Sequence, residues 1–295
     1  DLLERGLLMT GKGAFERGDG ETAIRALELV IARLPRMRAR LAFPVRELPL
    51  AYVQAGRVEE GRRRTEELLD IGPEMYRPRL LVTLGDYECL RGDLDAARSF
   101  YRAADASVSA ELRGCCGTEA AAARDAVVKL AALDAVRTVP PVRWTVGDPA
   151  PAEHRALVMA YADIYRSWDA TLCVRLGESL RAAALPGVHG VVVTPADPQP
   201  TPDPEGRPAR DPRYVGRAAP DYPGPQRADE LRRNLGLALP VVGVAEDALP
   251  ADLWTGDYDV VLAPGRGAVY VRGPADERVI LEALLRRLAR ETEAR

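Results

Sequence analysis

Along the first hundred residues the apolar positions recur with the period of a helix, and the recurrence itself repeats. The stretches TGKGAFERGDGETAIRALELVIARLP, LPLAYVQAGRVEEGRRRTEELLDIGP and LGDYECLRGDLDAARSFYRAADASVS align as three copies of one unit. Each predicts a first helix, a glycine turn at Gly18, Gly56 or Gly92, and a second helix with a small residue five positions on, Ala23, Gly61 or Ala97. Successive copies are offset by 38 and 36 residues, within the range of helical-hairpin repeats. The spacing has a mechanical reason. Glycine takes up the chain reversal, and a small side chain at the crossing lets the second helix lie close against the first. Pro35 and Pro73 are expected to stop the second helices of the first two copies. Pro49, within the first helix of the middle copy, should kink it.

Residues 107–136 predict a further helix or helix pair that closes the stack. The adjacent Cys115 and Cys116 read as small apolar residues at a helix join rather than as a strained vicinal disulfide. The proline-rich stretch VPPVRWTVGDPAPAEH, residues 139–154, has little periodicity and marks a domain boundary. The expected organisation is therefore an all-α helical-repeat domain over 1–137, a linker over 138–155 and a second domain over 156–295.

In the second domain the period shortens and alternates. The apolar run ALVMAYADI predicts a strand, followed by a helix near 169–184 with Leu172, Leu176 and Leu180 on one face, then a strand in GVHGVVVT. Helix ADELRRNLG, apolar LALPVVGV, a hairpin in YDVVLAPGRGAVYVRG and a closing helix in DERVILEALLRRLARE complete the order. That order implies an α/β domain with a mixed central sheet covered by helices. Residues 197–225 hold nine prolines in 29 residues, so this insertion is expected to be extended or irregular rather than helix or central strand. Tyr214, Tyr222 and the arginines 207, 210, 213 and 217 would make it adhesive if ordered; a tolerated surface loop is the plainer reading.

Composition narrows the function more than the fold. The chain has 295 residues, 47% hydrophobic and 29% charged, with a net charge of −3 from 41 basic and 44 acidic groups. No global field recruits nucleic acid or an anionic membrane. No apolar stretch approaches the roughly 20 residues that cross a bilayer, so no membrane span is expected. No signal peptide is visible, and the opening Asp1 is compatible with a removed leader. Four cysteines (Cys89, Cys115, Cys116, Cys173) without a CxxC pair, and two histidines, disfavour zinc and histidine acid–base chemistry. No metal and no cofactor are expected; a small-molecule ligand is left unknown. Only Lys12 and Lys129 are lysines. The segment GLLMTGKG, residues 6–13, nearly spells a phosphate-binding loop, but its interior is bulky and Gly13 replaces the hydroxyl that holds magnesium.

The three copies resemble the tetratricopeptide (TPR) family at Gly11, Tyr52, Leu84 with Gly85, Ala23, Ala97 with Tyr101, Pro35 and Pro73. Thr10, Pro49, Thr65, Glu88 and Ser109 depart from its pattern. The resemblance covers residues 4–109 and implies a curved helical surface that binds a protein partner. By that analogy Lys12, Phe15, Glu16, Arg46, Gln54, Arg79 and Asp86 line the concave face. The same residues can equally be solvated helix positions or a packing face for the rest of the chain.

Residues 156–290 resemble the thioredoxin-like fold, most closely its TlpA/peroxiredoxin-like branch, through Ser167-Trp168 at a strand end, LRRNLGLALPVVGVAED, and VVLAPGRGAVYVRG followed by a helix. The family's chemistry needs a thiolate at a helix start and a second thiol three residues on, with a cis-proline facing the pair. Asp169 and Leu172 occupy the two cysteine places, and the proline place falls near Tyr258. Trp168, Asp169 and Leu172 thus mark a degenerate active-site position, with Asp169 expected as a helix N-cap. The resemblance implies a redox-inactive adaptor or scaffold-type accessory subunit, in a periplasmic or other extracytoplasmic setting. The alternative is a thiol oxidoreductase or peroxidase using Cys173, with Cys115 or Cys116 as resolving thiol.

Overall fold

The computed structural model describes residues 2–33, 42–72, 74–109, 117–134, 139–149, 156–162, 164, 167–196, 224–245, 248, 259–263, 269–272 and 276–293. Pro35, Pro73, Cys115, Cys116, Tyr258 and residues 197–223 of the 197–225 insertion lie outside them. The chain divides into two compact units, Asp1–Val136 with Gly267–Arg295, and Arg137–Arg266. This differs from a linear split at the proline-rich stretch. The closing helix groups with the amino-terminal helices because that is where it packs.

In the first unit the helices α1 (Leu2–Glu16), α2 (Gly20–Arg33), α3 (Ala42–Gln54), α4 (Val58–Ile71), α5 (Arg77–Arg91), α6 (Leu94–Ala106) and α7 (Thr118–Asp134) follow one another. Each packs on its neighbour in sequence, and α5 also packs on α7. The three predicted turns are real: Gly18, Gly56 and Gly92 take φ of 85°, 76° and 88°, the left-handed region that favours glycine. Asp19 and Asp93 then start the second helices of the outer hairpins by accepting hydrogen bonds from Thr22 N and Ala96 N, each at 3.0 Å. The middle hairpin has Arg57 at that place, bonded instead to Glu60 and to Glu21 of the preceding hairpin. GLLMTGKG lies inside α1, so it forms no phosphate loop.

The crossings show why small residues recur. Ala23 and Ala97 are fully buried, and a Cβ added at Gly61 would overlap the Tyr87 hydroxyl and Tyr52 Cβ. A second contact sits one turn away: Gly11 lies against the Leu27 side chain and Gly85 against the Tyr101 ring. The 38-residue offset carries this glycine-against-bulk pair to Pro49 and Thr65 in the middle hairpin. There the larger residue has moved to the first helix and the smaller to the second, with Thr65 fully buried. Two departures from the repeat pattern are thus one exchange of volume. Helix α3 runs through Pro49, whose carbonyl accepts a 2.6 Å hydrogen bond from Tyr87 Oη.

The unit is completed from the far end of the chain. Strand β6 (Val269–Arg272) packs on α7, and the last helix, α10 (Asp276–Glu293), packs on α3, α5 and β6.

The second unit is α/β. Strands β1 (Val142–Val146), β2 (Ala156–Tyr161), β3 (Val188–Pro195), β4 (Val241–Val244) and β5 (Asp259–Ala263) lie in the order β1-β4-β3-β2-β5. Helix α8 (Ser167–Ala183) joins β2 to β3, and α9 (Pro225–Asn234) precedes β4. β2, β3 and β4 are mutually parallel, with Met159 opposite Val191 and Val193 opposite Val242. β1 and β5 run antiparallel to β4 and β2. The sheet is mixed, as its alternating order predicts. Strand β2 is buried along its whole length, which fits a parallel strand covered on both faces and explains its unbroken apolar sequence. The expected linker is corrected here: residues 142–146 are a sheet strand, not a spacer. Trp144 lies on Gly243, where an added Cβ would overlap the indole, so an aromatic residue found room only opposite a glycine.

Gly61→Ala and Gly85→Ala should each destabilise the chain by about 1–3 kcal/mol through overpacking, read as a lower urea midpoint. Gly56→Ala, where nothing lies within 4 Å of the added methyl, should lose only the left-handed backbone penalty, about 1–2 kcal/mol. A loss well under 1 kcal/mol at Gly61 would contradict the close crossing, where about 1 kcal/mol or more is expected.

Candidate functional site

The second unit carries the position where a redox centre was weighed. Strand β2 feeds α8, which begins at Ser167, so Trp168 and Asp169 fall in its first turn. Asp169 is therefore not the N-cap. Its backbone is already helical, whereas a cap residue stands outside the helix. The side chains of residues 167–172, Trp168, Asp169 and Leu172 among them, lie outside the described residues, as does the proline place near Tyr258.

Cys173 is described, and it is 0% exposed on α8 beside buried Leu176. A thiol must meet its oxidant or disulfide partner in solvent to react. The exposed sulfur that the oxidoreductase alternative requires is not present at Cys173.

The first unit distributes the seven expected binding residues unevenly. Lys12 and Glu16 form an exposed pair on α1 at 3.8 Å, and Arg46, half exposed, bonds to the neighbouring buried Glu47. Phe15 is buried. Gln54 Nε2 donates to the Phe15 carbonyl at 3.1 Å. Arg79 Nη1 reaches Asp125 Oδ2 on α7 at 3.1 Å, and Asp86 also faces α7. Three of the seven thus remain at the surface; Gln54, Arg79 and Asp86 tie helices together. Spacing along a first helix identifies a face, but the helix that covers it comes from elsewhere in the chain.

Asp86 anchors a cluster that the sequence pattern did not single out. Its Oδ1 accepts from Lys129 Nζ at 2.7 Å and from Tyr101 Oη at 2.8 Å, and Tyr101 Oη lies 3.4 Å from Cys89 Sγ. Lys129 Nζ stands 6.0 Å from the Tyr101 ring centroid. Helices α5, α6 and α7 each contribute, and their buried apolar neighbours lower the local dielectric. Burial pushes the Cys89 thiol up from 9.0 to about 12. It likewise raises the Tyr101 phenol, with the Asp86 charge adding to the effect. Both groups stay protonated at neutral pH, and the cluster fastens α5, α6 and α7 together. The one available signal was Lys129 itself, a lysine kept at 7% side-chain exposure in an arginine-dominated chain. A compact ammonium is satisfied by the few acceptors here, where a five-donor guanidinium would not be.

Charges on the outer faces pair at the repeat spacing. Arg64 bonds to Glu28 of the preceding hairpin through two nitrogens at 2.7 and 2.8 Å, and Arg98 bonds to Asp134 at 2.8 Å. Glu28 also accepts from Tyr52 Oη at 3.1 Å; burial first, then that carboxylate, raises the phenol to about 12. Among the described residues no group of three or more His, Cys, Asp and Glu is placed to hold a metal ion, and no helix is long and apolar enough to cross a membrane.

Asp86→Ala should cost about 3–5 kcal/mol, because it removes a carboxylate that accepts from the buried Lys129 ammonium. Adding Lys129→Met should recover part of that loss, and urea midpoints of the two variants check it. In a chain carrying Cys115→Ser and Cys116→Ser, Cys89 and Cys173 should ignore a water-soluble thiol reagent at pH 7 and react only on unfolding. Because the Cys89 and Tyr52 values are raised in the folded state, their contribution to stability is complete below the ordinary 9.0 and 10.0 and is lost as pH rises through about 12. The melting temperature followed by circular dichroism should fall across that alkaline window; a flat profile would contradict the burial of both groups. No protein-family model matches the chain, and no curated protein matches it.

Proposed function

We propose that this protein is a non-catalytic adaptor or accessory subunit, built from a TPR-like helical arm and a redox-inactive domain of thioredoxin-like type. The observation that carries this reading is the equivalence of the three hairpins. Turn glycines and small crossing residues recur at counterpart positions, and ion pairs join successive hairpins. Stacked hairpins of this kind present surface rather than chemistry. The order β2, α8, β3 with parallel pairing, followed by an antiparallel β5, supports the second half of the reading. Full burial of Cys173 weighs against the thiol enzyme. The surface left for a partner includes Lys12, Glu16 and Arg46.

Affinity purification of the tagged whole chain from its native source should recover one stoichiometric protein complex. Lys12→Glu should reduce that recovery without lowering the melting temperature. The purified chain should reduce insulin disulfides no faster than buffer. Catalysed dithiol exchange would overturn the proposal, as would the absence of any stoichiometric partner.

A further inference from the structure

Three carbonyls occupy the same place in the three hairpins, three residues before the turn glycine: Phe15, Val53 and Cys89. Each already accepts the amide of its glycine, at 3.0, 3.0 and 3.1 Å. Each also takes a second, side-chain donor. Phe15 O receives Gln54 Nε2 at 3.1 Å, from the next hairpin. Val53 O and Cys89 O receive Arg286 Nη2 at 3.2 Å and Arg287 Nη1 at 2.7 Å. Both arginines belong to α10. Two adjacent residues of one helix therefore cap the carboxyl ends of α3 and α5, where the helix dipoles leave partial negative charge. The Arg287 guanidinium lies 3.2 Å from the place a Cβ would take at Gly92, whereas Gly18 and Gly56 have open space there.

The placement of α10 differs from that of the other described helices in its unit. Helices α1 to α7 each pack on a sequence neighbour, but α10 arrives from the end of the chain and lies on α3 and α5, the first helices of consecutive hairpins. That is the geometry of an amphipathic helix laid into a helical groove. Its apolar side chains Val279, Ile280, Ala283, Leu284 and Leu288 are buried, and Arg286 and Arg290 are exposed.

We propose that α10 is a built-in occupant of the α3–α5 face, and that a partner reaches this face by presenting an amphipathic helix with two adjacent arginines that takes the place of α10. The inference rests on the reading of the helical arm as a partner-binding surface. It adds the chemistry of the ligand and a device that holds the site closed. Apolar burial supplies most of the adhesion. The arginine pair sets the register, since only one axial position brings both guanidinium groups onto carbonyls one repeat apart.

The probe is a fluorescent peptide of residues 276–293, added to the whole chain and followed by anisotropy. It should bind Arg286→Ala/Arg287→Ala on the order of tenfold more tightly than the unaltered chain, because the resident helix has lost two charge-assisted hydrogen bonds. Arg286→Lys/Arg287→Lys should lie between the two. A peptide with both arginines replaced by alanine should bind the Arg286→Ala/Arg287→Ala chain on the order of tenfold more weakly than the unaltered peptide does. Equal binding to both chains, binding to neither, or equal binding of the alanine peptide overturns the proposal. If the alanine variant does not fold, hydrogen exchange on the unaltered chain decides: α10 amides that exchange before those of α5 support a displaceable occupant, and exchange only on global unfolding overturns it. These readouts concern α10 alone, so their failure leaves the adaptor reading standing, and loss of the adaptor reading leaves them unchanged.

Discussion

Two helices can lie only as close as the side chains at their crossing allow, and the helical half of this protein depends on that limit. Ala23, Gly61 and Ala97 remove bulk where the second helix of each hairpin meets the first. Around those contacts the rest of the layer assembles. Leu27 and Tyr101 fill the space that Gly11 and Gly85 leave, and Tyr87 reaches across to Pro49. The middle hairpin keeps the same closeness by a different division of volume, with Pro49 on one helix and Thr65 on the other. Packing density is held while the identity of the large residue changes sides.

Polar groups then settle which helices stay together. Asp86, Lys129, Tyr101 and Cys89 join α5, α6 and α7 around a pair of charges that would be costly if either were left alone. On the outside, arginines pair with carboxylates of the neighbouring hairpin, where exposure makes each pair worth little by itself. The same backbone device that ends each first helix, a left-handed glycine, leaves a carbonyl with capacity for one more donor. Gln54, Arg286 and Arg287 supply it in the three hairpins.

The α/β half follows a separate rule. A parallel strand covered on both faces can be apolar throughout, so ALVMAY and VVVT were legible as strands, and their neighbours paired as the alternating order implied. Strand β1 was not legible, since VRWTV sits among prolines and carries polar residues on an exposed surface. Only its ladder with β4 and the fit of Trp144 on Gly243 make it a strand. Burial of Cys173 was equally undecided by sequence, because a helical cysteine beside leucines can turn either way until the sheet beneath it is placed.

The sequence by itself determined the local geometry: three hairpins, their turn glycines, the aspartates that begin two second helices, and the apolar strands of a mixed sheet. Each is set by interactions within a few residues, where backbone freedom, side-chain size and period leave little choice. Tertiary structure alone decided that α10 lies on α3 and α5, that Asp86 meets Lys129, and that Gln54 and Arg79 face inward. Those outcomes join residues from 39 to more than 200 positions apart. Periodicity marks such residues as buried or amphipathic, but the partner is chosen by shape and by the unsatisfied carbonyls and charges of surfaces that exist only once the hairpins have stacked.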